Sequence, residues 1–135
     1  MKISRALALA AAGVSLSGFA ATNAKDVQPN CVNPTCVTTV SILSCTKYEL
    51  STDPIVVAKG NKPVLRWTLV TPGWIFTKEG IDIKKHGTEF EGKAKESGAS
   101  FKWKNKNTKP GEYKYNISVT DGNQVCTYDP TVVNQ

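Results

Sequence analysis

Four kinds of side chain in this sequence have the chemistry to act on something: a single histidine, two glutamates two residues apart, four cysteines, and a run of lysines. His86 stands in Lys84-Lys85-His86-Gly87, a polar turn, and reads as a solvated loop residue. A serine–histidine–aspartate set would depend on that one ring, and no nucleophile elbow accompanies it. A blue-copper site needs two histidines, and a three-histidine zinc site needs three, so neither can be assembled. Glu89 and Glu91 share one face of an extended segment and are the only candidate acid–base pair. Lys93 and Lys95 continue the same alternation, however, which reads as a solvated edge. Phosphate-binding loops of the G-x-G-x-x-G or G-x-x-x-x-G-K-[ST] type are missing. No catalytic residue, metal ligand or cofactor-binding residue is therefore assigned, and the expectation is a protein that is not an enzyme.

The lysines are the better pointer. Residues 84–114 hold nine lysines against four glutamates. Lys102 and Lys104 alternate with Phe101 and Trp103, which places them on the outward face of a strand, and Lys106 follows in a loop. Such a face solubilises a domain and blunts a sheet edge. It also suits an acidic partner, either an unknown protein or an anionic envelope polymer. Lys102, Lys104 and Lys106 are the candidate binding residues. Trp74, just after Pro72-Gly73, joins them as an aromatic at a loop tip, with core packing as its competing fate. Nucleic acid is not an expected partner, because Phe101 and Trp103 are turned inward by the same alternation.

Compartment follows from the amino terminus and the cysteines. Met1 to Arg5 is basic, Ala6 to Ala21 is apolar and rich in alanine and leucine, and Thr22 and Ala24 are small, so residues 1–24 read as a cleaved signal peptide. Gly13, Ser15, Ser17 and Gly18 interrupt the run too often for a membrane span of ~20 apolar residues. Phe19 stands where a lipoprotein signal would need its cysteine. Cleavage removes Lys2 and Arg5 and lowers the formal charge of the 135-residue chain from +6 to +4. No later stretch is apolar enough to span a bilayer, so a periplasmic or secreted protein of one domain is expected. Cys31, Cys36, Cys45 and Cys126 then read as two disulfides. Three pairings exist. Cys31–Cys36 can close locally around Pro34, leaving Cys45 for Cys126; a four-cysteine zinc site is the rival.

These residues must be positioned by strands. In Tyr113-Lys114-Tyr115-Asn116-Ile117-Ser118-Val119-Thr120 the apolar side chains fall on one face and the polar ones on the other. Asp121-Gly122 predicts a two-residue type I′ hairpin into the run Asn123 to Tyr128. Further strands are expected at 37–50, with a bulge or a crossing between sheets, and at Ile55 to Ala58, Val64 to Val70, Trp74 to Thr77, Ile81 to Ile83, Thr88 to Glu91 and Phe101 to Lys104. No window repeats at 3.6 residues, so no helix is predicted after the signal. Residues 25–37 read as an irregular arm tied by its own disulfide, and 38–135 as an all-β antiparallel sandwich of seven or eight strands.

Two stretches carry a resemblance. Ile55 to Trp67, with its turn at Gly60, resembles the entry into the second strand of an immunoglobulin-like sandwich, and Gly111-Glu112-Tyr113-Lys114-Tyr115 resembles the G-x-Y-x-C run of the sixth. The resemblance implies that Tyr113 is a tyrosine-corner residue bonded to backbone just upstream. It also implies an aromatic pin of Trp67 and Tyr115 where the family has its disulfide, with Cys45 and Cys126 on neighbouring first and last strands. That superfold hosts many unrelated functions; the segregated lysines and the missing catalytic sets are what make an exported, non-enzymatic binding domain the expected function. The alternative is a periplasmic inhibitor or immunity protein that plugs a hydrolase with the Cys31–Cys36 loop.

Overall fold

Alternation marks the long strands of the described chain, whose regular structure is all strand. The computed structural model describes residues 27–135; the expected signal peptide lies outside them. In chain order the strands are β1 (Thr35–Ser44), β2 (Lys47–Leu50), β3 (Ile55–Val57), β4 (Val64–Leu69), β5 (Ile75–Ile83), β6 (Phe90–Ser97), β7 (Ser100–Asn105), β8 (Gly111–Thr120), β9 (Val125–Tyr128) and β10 (Thr131–Asn134). One sheet has the order β2-β1-β4-β7-β6; the other has β3-β10-β8-β5, with β9 also on β8. Among the described residues no helix is long and apolar enough to cross a membrane.

The inward residues of both sheets form one core. Leu65 and Trp67 of β4, Phe101 of β7, Phe76 and Ile81 of β5, and Tyr115, Ile117 and Val119 of β8 are all fully buried. Trp67 and Tyr115 meet from opposite sheets with ring centroids 5.3 Å apart, and the indole Nε1 donates to the Tyr115 hydroxyl at 3.1 Å. Each ring thus satisfies the other's polar atom in a site without water, the condition for burying either. Burial pushes the Tyr115 hydroxyl far above its ordinary pKa, so it stays a neutral partner.

Several expectations need correction. The count is ten strands, and the sheets are mixed: β1 runs parallel to β4, and β10 parallel to β3. Local anchoring sets the first direction, because Val64 N donates to Pro34 O at 2.8 Å and brings the chain into β1 beside the start of β4. The strand begins at Thr35, inside the stretch expected to be an irregular arm; residues 37–50 do not cross between sheets but turn back at Cys45-Thr46, with the expected irregularity present as a register shift between Ile42 and Ser44. Ile75–Ile83 forms one strand where two were expected, with Trp74 left in the preceding loop and an irregularity between Phe76 and Ile81. Gly80 sits there at φ +48, and a Cβ on it would lie 2.2 Å from the Phe101 ring. Only glycine lets that ring fill the space.

The last hairpin also differs. Thr120 pairs with Val125, so its connection has four residues, 121–124. The Asp121 carboxylate accepts from the amides of Asn123 and Gln124 at 2.9 and 3.0 Å, a side-chain turn that lengthens the loop. Both expected disulfides form, with Cα–Cα distances of 5.7 Å for Cys31–Cys36 and 5.2 Å for Cys45–Cys126. Cys45, in the β1–β2 turn, joins one sheet to Cys126 on β9 of the other; the two are not on neighbouring strands. Two such bonds suit an oxidising, exported compartment.

Candidate functional site

Strand directions sort the loops to two ends of the sandwich. At one end lie 58–63, 84–89 and 106–110, connecting β3 to β4, β5 to β6 and β7 to β8. At the other lie 45–46, 70–74, 98–99 and 121–124. The first set carries six lysines, at 59, 62, 84, 85, 106 and 109, and a single carboxylate, Glu89. The second set has no lysine or arginine and one carboxylate, Asp121. Leu43, Val70, Ile75 and Val125 flank that second set and are exposed.

The carboxylate at the cationic end faces inward. Glu89 is 2% exposed, contrary to its expected place on a solvated edge. Its Oε2 accepts from the amides of Thr108 and Lys109 at 2.6 and 2.7 Å and from Asn134 Nδ2 at 3.1 Å; its Oε1 accepts from the Thr108 hydroxyl. Burial pushes this carboxyl up, but those four hydrogen bonds prevail and hold it below the ordinary glutamate range. Asn105 and Asn134 exchange side-chain bonds at 2.7 and 3.1 Å, and Asn107 Nδ2 reaches the carbonyls of Ala58 and Asn61 at 2.9 and 2.8 Å. Loop 106–110 is therefore fastened to Asn105 of β7, to loop 58–63 and to Glu89, and Asn134 of β10 braces both Asn105 and Glu89. Tyr113 completes the clamp, its hydroxyl donating to Lys109 O at 3.0 Å, four residues upstream.

The predicted binding residues separate on this frame. Lys104 donates to the Lys62 backbone carbonyl, and Lys62 donates to the Lys106 backbone carbonyl at 2.9 Å, so these three residues are brought together at the cationic end. Lys106 also faces Glu91 at 3.6 Å. Lys102 lies mid-strand and is not brought to that end; Glu96 stands 3.8 Å from it and accepts from Arg66 at 2.8 and 3.2 Å. Hydrogen bonds from Arg66 and Ser100 hold the Glu96 carboxyl at about 2. Trp74 is at the opposite end, half-buried against the core. Glu89 and Glu91 do not form a pair, since one is enclosed and the other exposed. His86 is not a solvated loop residue: it is half-buried, edge-on to Trp103 and Phe90 at centroid distances of 5.3 and 5.8 Å.

Among the described residues no group of three histidine, cysteine or acidic side chains is arranged to hold a metal. What the cationic end offers is point charge on a rigid backbone, suited to binding anions by electrostatics. Sequence reasoning located the lysine excess but placed it on a strand face, because Lys59 and Lys62 lie outside the 84–114 run and join it only through the fold. The signal for the clamp was the asparagine-rich stretch Asn105-Lys106-Asn107-Thr108. Beside this end is a surface hollow of about 350 Å³ lined by Lys84, Lys85, Glu112, Tyr113 and Lys114. A cavity of about 190 Å³ lies beside the Cys31–Cys36 disulfide, with Asn30, Asn33, Thr35 and Thr52 in its wall. No family model matches the chain, and no curated protein is significantly similar to it in sequence.

Proposed function

We propose that this chain is an exported, non-enzymatic binding domain of immunoglobulin-like build, and that its lysine-bearing end engages an anionic polymer of the cell envelope. The observation that carries the reading is the segregation of charge: six loop lysines at one end, with their only loop carboxylate turned inward. Turning Glu89 inward spends its negative charge on the protein's own backbone donors; Lys84 and Lys106 face Asp82 and Glu91 on the adjoining strands, and the other four loop lysines make no ion pair among the described residues. Several lysines on a fastened loop lose little order on binding a flexible polyanion. The immunoglobulin-like reading is supported by the order β4-β7-β6 in one sheet and β5-β8 with β9 and β10 in the other, by the Tyr113 clamp and by the Trp67–Tyr115 pin. The parallel β1 and its hairpin with β2 are additions to that plan.

Retention on immobilised polyglutamate, eluted with a salt gradient, tests the reading. The protein is expected to bind at low salt and to elute well before a comparably charged flexible polylysine segment would, since screening shortens the Debye length to about 8 Å at physiological ionic strength. The triple change Lys62→Glu, Lys106→Glu, Lys109→Glu should abolish retention. Equal retention by the variant would overturn the electrostatic reading.

One observation favours a second reading, inhibition of a hydrolase. Val32 is 60% exposed at the tip of the disulfide-closed loop, and Asn61 Nδ2 fastens that loop through the carbonyls of Cys31 and Asn33 at 3.1 and 3.0 Å. An apolar tip on a rigid loop is the shape that plugs an active site. Assays against lysozymes, amidases and proteases, with Val32→Asp as the control, decide it; inhibition that survives the control rules out this loop.

A further inference from the structure

The hollow between the ends of β5 and β8 differs chemically from the rest of the cationic end. Four of its lining residues are charged, three of them lysines, and the fifth is the Tyr113 ring. Lys84 and Lys114 stand side by side, because Lys84 N donates to Lys114 O at 2.8 Å across the β5–β8 boundary. Lys84 also meets Asp82 at 2.8 Å, and Lys114 rests on the Thr131 hydroxyl at 3.3 Å. Lys85, at φ +50, makes no ion pair among the described residues.

Tyr113 is held on two sides. Its hydroxyl is committed to Lys109 O, and Phe90 meets its ring edge-on at a centroid distance of 5.2 Å. A ring fixed in this way offers a preformed apolar wall, while the lysines beside it supply cations on flexible stems. The volume is at the low end of the roughly 300–1,000 Å³ of small-molecule sites, enough for one ring and its substituents and too little for a folded partner.

We propose that this hollow binds a pyranose ring bearing an anionic substituent, a carboxylate or a phosphate, with the sugar against Tyr113 and the anion between Lys85 and Lys114. The apolar face of a sugar ring matches an aromatic wall, and its anion matches the lysines. A bare inorganic anion would leave Tyr113 without a role. An uncharged sugar would leave the lysines without one. This inference deepens the proposed function by naming the repeating unit of the polymer, and it rests on that reading only for its biological setting.

Amide chemical-shift titration of the full mature chain tests it with five probes: glucuronate, glucose 6-phosphate, glucose, inorganic phosphate and acetate. Saturable shifts at residues 84–85 and 112–114 are expected with glucuronate or glucose 6-phosphate, at least tenfold tighter than with glucose, phosphate or acetate. The stronger of the first two identifies the anion. Lys85→Glu with Lys114→Glu should weaken that binding at least tenfold, Tyr113→Phe should preserve it, and Tyr113→Leu should erase the preference for the sugar over the bare anion. Equal binding of phosphate and glucose 6-phosphate overturns the role of the ring, and silence at these amides overturns the site. If the protein is retained on polyglutamate while the hollow is silent, only this inference fails; if the hollow binds the sugar while the protein is not retained on polyglutamate, only the proposed polymer reading fails.

Discussion

The two ends of the sandwich are held by opposite means. At the cationic end, one enclosed carboxylate and three asparagines fasten loop 106–110 through hydrogen bonds to its own backbone and its neighbours'. At the other end the Cys45–Cys126 disulfide joins the sheets, and the loops around it are short, free of lysine and arginine, and accompanied by exposed apolar side chains. The contrast has a physical basis. A cluster of lysines cannot be packed under an apolar cap without neutralising it, so the loops that carry them are ordered from beneath by polar groups. An end without lysines has no such constraint, and a covalent link serves it.

Breaking the covalent end should have the largest effect on stability. Cys45→Ser with Cys126→Ser releases a link between residues 81 apart in sequence, and about 4 kcal/mol should be lost in urea unfolding. Polyglutamate retention of the folded variant should be unchanged, because the lysines are fastened independently. Loss of retention in that variant while it remains folded would show that the ends are coupled.

Breaking the polar end comes next. Glu89→Gln places an amide donor against the Thr108 and Lys109 amides and should cost about 3 kcal/mol at neutral pH. It should also speed hydrogen exchange at residues 107–109 and weaken polymer retention, both of which the disulfide variant spares. The pH dependence has a defined sign. The folded Glu89 carboxyl lies below its ordinary value of 4.5, so its stabilisation is complete above about 4.5 and is lost as pH falls through the lower folded value. In Glu89→Gln that part of the acid loss should disappear from urea midpoints measured between pH 6 and 2.

Smaller changes sharpen the picture. Tyr113→Phe removes only the bond to Lys109 O and should cost about 1 kcal/mol in urea unfolding. Glu96→Gln should cost about 0.5 kcal/mol or less, since the Arg66 and Glu96 side chains are each about one-third exposed. By freeing Arg66 and Lys102 it should instead strengthen retention on polyglutamate, an effect opposite in sign to its effect on stability.

Much of this was legible from residue order. The inward run of Tyr115, Ile117 and Val119, the burial of Phe101 and Trp103, the Trp67–Tyr115 contact and both disulfide pairings follow from period-2 alternation, cysteine spacing and the two motif fragments. Other features were not. Glu89 alternates with Glu91 and Lys93 like any solvated edge, and nothing local reveals that the amides of Thr108 and Lys109 are waiting for it. Glu79-Gly80 looks like a turn, although the glycine makes room for Phe101 from the other sheet. Asp121-Gly122 looks like a two-residue hairpin, although Asp121 captures two amides and lengthens it.

What the sequence determined by itself was the strand character, the inward face of strands such as β4, β7 and β8, the local closure of Cys31 on Cys36 and the lysine excess, because each depends on neighbours within a few residues or on simple counting. Only the tertiary structure decided which end the lysines occupy, that their one loop carboxylate is enclosed, and that β1 lies parallel to β4. Those outcomes join groups from four or more distant segments, and the free energy of a buried hydrogen bond or a loop's direction depends on partners that chain order does not name.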